Sequence, residues 1–139
     1  MSLYILDTDT LQLFQNEHPL VVARVQAVAL EDRAVSVISV EEQLSGWYTQ
    51  LRQAKRPERL AWAYRRLAAT VRFLSRVQIV DFDESAIQHC EQLMQGKVKV
   101  GTNDLRIAAS VLERDAILVT RNVRDFQKIP NLRIEDWSK

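Results

Sequence analysis

Four carboxylate- or amide-bearing positions in this chain each follow an apolar run or open a helical pattern. Asp7 follows Tyr4-Ile5-Leu6, Glu42 follows the run from Ala34 to Ser39, Asp104 opens a helical pattern, and Asn122 with Asp125 follows Ala116-Ile117-Leu118-Val119. Clustered oxygen donors without histidine or cysteine suit a hard cation, Mg²⁺ or Mn²⁺. Carboxylates brought this close repel one another, and without a cation some would have to stay protonated. A divalent ion relieves that repulsion, activates a water and stabilises charge on a phosphoryl group. Each acid also has a plainer explanation. Asp7 and Asp9 fit an Asx turn or a helix cap, Glu42 completes a capping box with Ser39, and Asp104 suits a helix N-cap.

The spacing of apolar residues predicts the elements that would position these acids. Short, β-branched runs over Tyr4–Leu6, Ala34–Ser39, Val77–Val80, Ala116–Val119 and Leu132–Ile134 read as strands. Between them lie helical patterns: Thr10–Asn16, one starting at Pro19, and one from about Val40 with a stripe of Val40, Leu44, Trp47, Tyr48 and Leu51. A further helix starts at Pro57 with Leu60, Tyr64, Leu67, Val71 and Leu74 facing in. Another starts at Asp83 or Ser85, with Ile87, Cys90, Leu93 and Met94 inward, and ends near Gly96. Lys97 to Thr102 reads as a connector, after which Asn103-Asp104 opens a helix that buries Leu105, Ala108, Ala109 and Leu112. Asp125-Phe126 reads as a turn, and Trp137 is expected to pack near the end. Alternating strands and helices without a hairpin signal predict an α/β fold with a parallel sheet covered on both faces. The strand ends of such a sheet share one rim, which brings the acids together.

Composition narrows the class. With 139 residues, 47% hydrophobic and 27% charged, the chain reads as one soluble domain over 1–139 with a sizeable core. No apolar run approaches the roughly 20 residues of a membrane span, and the N-terminus lacks a signal-peptide layout. The single cysteine allows no internal disulfide, and Cys90 with His18 and His89 cannot build a structural zinc site. A cytoplasmic protein is expected. Net charge is only +1, but between Arg52 and Arg76 a single acid, Glu58, stands among Arg52, Lys55, Arg56, Arg59, Arg65, Arg66, Arg72 and Arg76. That segment reads either as a solvated helix or as a phosphate-contacting face.

In this order and spacing, YILDTDTL, SVISVEEQLSG, GTNDLRIAAS and ILVTRNVRDFQKIPNLRIEDW resemble the motif regions of PIN-domain ribonucleases of the VapC toxin type. The resemblance implies a three-layer α/β/α fold and Mg²⁺- or Mn²⁺-dependent endonucleolytic cleavage of RNA. It also implies a homodimer and a small cognate antitoxin protein. Asp7, Glu42 and Asp104 match the family's metal-binding acids. Asn122 stands where many members carry a fourth acid, so Asp125 or Asp9 is expected to supply that charge. Ser39 and Thr120 match supporting donors. Arg59, Arg65, Arg66 and Arg121 are candidates for RNA contact, and the Pro57-Glu58-Arg59 region resembles the branch acting on initiator transfer RNA.

Two other readings start from the same residues. ILDTDTL fits the first motif of a haloacid-dehalogenase-like phosphatase, with Asp7 as nucleophile, Asp9 as acid/base and Ser39 in the second motif. That reading leaves Glu42 and Asp104 unused and lacks the later paired acids. With Asn122 as an amide, the chain also fits a catalytically weak RNA- or protein-binding module.

Overall fold

The computed structural model describes residues 2–96 and 98–139; Lys97, the first residue of the expected connector, lies outside them, as does Met1. The chain runs β1 (Tyr4–Leu6), α1 (Thr8–Gln15), α2 (Pro19–Gln26), β2 (Arg33–Ser36), α3 (Val37–Gln53) and α4 (Pro57–Leu74). It continues through β3 (Ile79–Val80), α5 (Glu84–Gln95), α6 (Thr102–Glu113), β4 (Ile117–Val119), α7 (Val123–Phe126) and β5 (Arg133–Glu135). All strand pairs are parallel, in the order β3-β2-β1-β4-β5.

Alternation along the strands sends neighbouring residues to opposite faces of the sheet. Ile5, Ala34 and Leu118 join a core with Cys90, Leu105 and Ala109 from α5 and α6. Leu6, Val35 and Val119 join a second core with Leu11, Val21, Val25 and Leu74 from α1, α2 and α4. The expected three-layer α/β/α architecture with a central parallel sheet is therefore present. Full burial of a side chain such as Ile5 or Leu11 contributes about 1.5–3 kcal/mol, and both are at most 1% exposed.

The order of the strands fixes where a site can lie. From β1 the chain adds β2 and then β3 on one side, and returns with β4 on the other. The gap beyond the carboxyl ends of β1 and β4 is thus the topological switch point, where open α/β sheets bind their ligands. Leu6 is in register with Val119, so the next residues, Asp7 and Thr120, emerge side by side there.

Several boundaries and faces differ from expectation. β2 ends at Ser36, and α3 begins three residues before Val40, because the Ser36 hydroxyl accepts from the Ile38 amide at 3.0 Å and caps the helix. Ser39 is therefore a buried residue of α3, not its cap, and Glu42 is in no capping box. On α4 the inward residues are Ala63, Thr70 and Leu74. Leu60, Tyr64 and Val71, expected inside, are 38%, 56% and 50% exposed. On α5, Ala86 and Cys90 face in while Ile87 and Met94 are exposed, and Tyr48 of α3 is also exposed. Asp125-Phe126 belongs to the short helix α7 rather than to a turn.

Candidate active site

Asp7 is held at the switch point by three hydrogen bonds at once. Its amide donates to the Val119 carbonyl at 3.0 Å, continuing the β1–β4 ladder. Its Oδ1 accepts from the Thr10 amide at 2.8 Å and caps α1. Its Oδ2 accepts from the Thr120 hydroxyl at 2.6 Å. The helix-cap reading is therefore correct and does not compete with the site reading, since the cap uses one carboxylate oxygen. Asp7 is only 6% exposed. Burial raises its carboxyl above the usual carboxylate range, against the lowering effect of the Thr120 and Thr10 hydrogen bonds.

Glu42 reaches the rim from the second turn of α3. The Thr8 hydroxyl donates to Glu42 Oε1 at 2.6 Å and lies 2.8 Å from Ser39 Oγ. A hydroxyl has one proton, and the charged carboxylate is the stronger acceptor, so Ser39 donates to Thr8 and Thr8 to Glu42. Ser39 is thus linked to Glu42 through Thr8 and not through helix capping. Thr8 was missed by sequence reasoning. Its one signal was a hydroxyl directly after Asp7, inside the first turn of α1.

Asp104 occupies the first turn of α6, where Gly101 holds the cap position without a side-chain cap. It is therefore not the N-cap suggested by its position. Its carboxyl is raised first by burial and then by the negative charges of Glu42, Asp7 and Asp125. Asp7 at the N-cap of α1, Glu42 of α3 and Asp125 of α7 thus all act on Asp104 of α6. Among the described residues, no three acidic, histidine or cysteine side chains close into a ready-made metal cage. The acids share a field without sharing a contact.

The remaining candidates divide clearly. Asn122 donates its side-chain amide to Asp125 Oδ2 at 3.0 Å, and its backbone amide donates to the Thr120 hydroxyl at 2.9 Å. The Asn122 bond is the main reason why the Asp125 carboxyl is lowered. The charge of Asp125 also acts on Asp104, after those of Glu42 and Asp7. Asp9 is occupied elsewhere. The Arg121 guanidinium donates to both of its oxygens, at 2.7 and 3.1 Å, which takes Arg121 out of the free basic surface. Arg59 and Arg66 lie over the rings of Trp62 and Trp47, at 4.0 and 5.3 Å from the ring centres. Arg65 is exposed.

The donor set fits a hard divalent cation. It is all oxygen, and Asp104, whose carboxyl is raised by burial and then by the charges of Glu42, Asp7 and Asp125, is a group that a cation would favour in its charged form.

The comparisons agree with this fold. The PIN domain profile matches residues 4–132. Ribonuclease VapC2 of Haemophilus influenzae is 30% identical over 142 residues, covering 99% of both chains. The tRNA(fMet)-specific endonuclease VapC of Salmonella typhimurium is 39% identical over 77 residues, 52% of this chain. Ribonuclease VapC2 of Rickettsia felis is 39% identical over 71 residues. In these last two matches the chain spans 58% and 53% of the relative's length. The structure of DNA-bound VapBC from Salmonella typhimurium superposes with a TM-score of 0.78 at 30% identity, covering 99% of both chains. The chain belongs to the PIN-domain family, in its VapC ribonuclease branch. The phosphatase alternative falls with this result, and its supposed acid/base, Asp9, is bound by Arg121.

Proposed function

We propose that this protein is a metal-dependent endoribonuclease, the toxin of a toxin–antitoxin pair, and that Asp7, Glu42 and Asp104 hold Mg²⁺ or Mn²⁺. The observation that carries this reading is the convergence of Asp7, Glu42 and Asp125 on Asp104, at the switch point of the sheet. When bound, the ion supplies Lewis-acid polarisation of the phosphodiester and a water of lowered pKa.

The chain's own residues do the rest. Thr120 fixes the Asp7 carboxylate, and the Ser39–Thr8 relay fixes that of Glu42, so neither acid needs to reorganise during the reaction. Asn122 holds Asp125 beside Asp104 and completes the negative rim. Hydrolysis adds water across one phosphodiester bond, leaving a 5′-phosphate and a 3′-hydroxyl. Arg59, Arg65 and Arg66 contact the RNA backbone, which makes binding salt-sensitive. Arg121 acts mainly by pinning Asp9.

The relative named as a tRNA(fMet)-specific endonuclease supports initiator transfer RNA as the substrate. The VapBC complexes among the structural neighbours support a cognate antitoxin. Homodimerisation and a cytoplasmic location complete the proposal, and among the described residues no helix is long and apolar enough to cross a membrane. The test is to map RNA ends after inducing the wild type and Asp7→Asn in cells. New 5′-phosphate ends in initiator transfer RNA, absent with Asp7→Asn, are expected. Identical RNA ends in the two samples would overturn the proposal.

A further inference from the structure

A groove of about 480 Å³ opens at Glu42 and runs between α1, α3 and α4. Its size falls within the roughly 300–1,000 Å³ of small-molecule sites. Gln12 of α1 and Asn16 at its C-terminal cap line it on one side, with Glu42, Trp47 and Gln50 from α3 and Arg66 from α4. We propose that this groove is a nucleotide subsite: it takes one unpaired RNA nucleotide next to the cleaved phosphodiester, with Arg66 on the neighbouring phosphate and the amides of Gln12, Asn16 and Gln50 on the base edge. This inference rests on the endoribonuclease reading and adds to it a means of choosing where the RNA is cut.

Three observations carry it. The first is charge. Glu42 is the one carboxylate lining the groove, at the end where the metal-binding acids lie, so an entering polyanion meets repulsion only where a cation would neutralise it. The second is the state of Arg66. Its guanidinium is held over Trp47, and among the described residues it forms no ion pair. Trp47 is itself fixed, donating its Nε1–H to Thr70 Oγ1 at 2.9 Å and packing edge-on against Trp62. The cation is thus oriented by an aromatic ring, with its charge unspent.

The third observation is the chemistry of the walls. Side-chain amides offer donors and acceptors together, which matches the edge of a nucleobase. Gln15 and Gln43 already satisfy each other through a reciprocal pair at 2.7 and 3.0 Å, so they form a closed floor. Recognition therefore falls to Gln12 and Asn16 with both donor and acceptor, and to the side-chain NH₂ of Gln50, whose Oε1 accepts from Arg59 at 3.2 Å. The walls also suit an unpaired strand better than a duplex, because reading a base edge there requires the base to be splayed out.

The test uses a fluorescently labelled single-stranded RNA, and the same RNA with a base-free ribose placed in turn on each side of the cut. In Mg²⁺, Arg66→Gln is expected to raise KM about tenfold, with kcat within about twofold of wild type. One of the two base-free positions is expected to cost the wild type a similar factor in KM, and to cost Gln12→Ala/Gln50→Ala much less. Fluorescence anisotropy in EDTA reads the groove without turnover, and the same losses of affinity are expected there. Unchanged KM and affinity in Arg66→Gln, or a base-free penalty undiminished in Gln12→Ala/Gln50→Ala, would overturn the subsite and leave the groove to a protein partner. If instead the wild type binds RNA in this pattern but cuts none of it in Mg²⁺, the subsite stands and the catalytic reading falls.

Discussion

At the scale of single residues, the acids of the rim work against the fold that holds them. Burial raises the carboxyl of Asp7, and burial with neighbouring charge raises that of Asp104. A carboxyl raised on folding contributes stability that is fully present below its unfolded pKa of about 4, and this is lost as pH rises through the folded value. In the metal-free protein, the contribution of these two groups therefore falls as pH climbs from about 4 through their raised folded values. Asp7→Asn keeps an oxygen for the Thr10 amide and carries no charge. Melts in EDTA should show Asp7→Asn gaining on the wild type in Tm as pH rises. A gap that stays constant with pH would contradict this. Thr120→Val makes the opposite case: removing the donor to Asp7 Oδ2 should cost about 1.5–3 kcal/mol, read from denaturant unfolding. Thr8→Val frees Glu42 and should lower the cleavage rate by about 10–100-fold, with the far-ultraviolet dichroism unchanged.

At the scale of elements, what could be read from the sequence depended on how strongly one principle ruled each segment. The strands were legible where short apolar runs such as Tyr4–Leu6 and Ile117–Val119 end in polar residues, whereas Val37 and Ile38 of the expected Ala34–Ser39 strand went to α3. The rim followed from them, since parallel strands must end together. The face of α4 was not legible. Its large apolar residues and arginines recur at similar spacing, and the expected stripe chose size over fit. Ala63 and Thr70 face in because α3 lies close against α4, with Thr70 taking the Trp47 indole proton. The start of α3 was missed for a similar reason: Ser36 and Ser39 are equally good caps on paper, and the tertiary demand of Thr8 for Ser39 decides between them. The helix rotation is testable. Ala63→Leu should cost about 1–3 kcal/mol through overpacking, and Tyr64→Ala should stay within about 0.5 kcal/mol. Equal effects of the two substitutions in denaturant unfolding would contradict the observed face.

At the scale of the whole molecule, the fold solves a problem of charge placement. Asp7, Glu42, Asp104 and Asp125 come from distant parts of the chain, and each is delivered by a separate element to one rim. Arg66 of the basic segment lines the same groove as Glu42, and on the endoribonuclease reading its role is to gather the polyanion without neutralising the acids. A divalent ion that binds the folded state alone should stabilise it by about 2.7 kcal/mol at a hundredfold excess over Kd. Tm should therefore rise with Mn²⁺ in the wild type and much less in Asp104→Ala. The most direct measurement is the initial rate of RNA cleavage by purified wild type and Asp104→Ala, side by side in Mg²⁺ and in EDTA. Cleavage by the wild type in Mg²⁺ alone, with none by Asp104→Ala, is the expected result. Asp104→Ala cleaving as fast as the wild type would contradict the assignment of the rim as the active site.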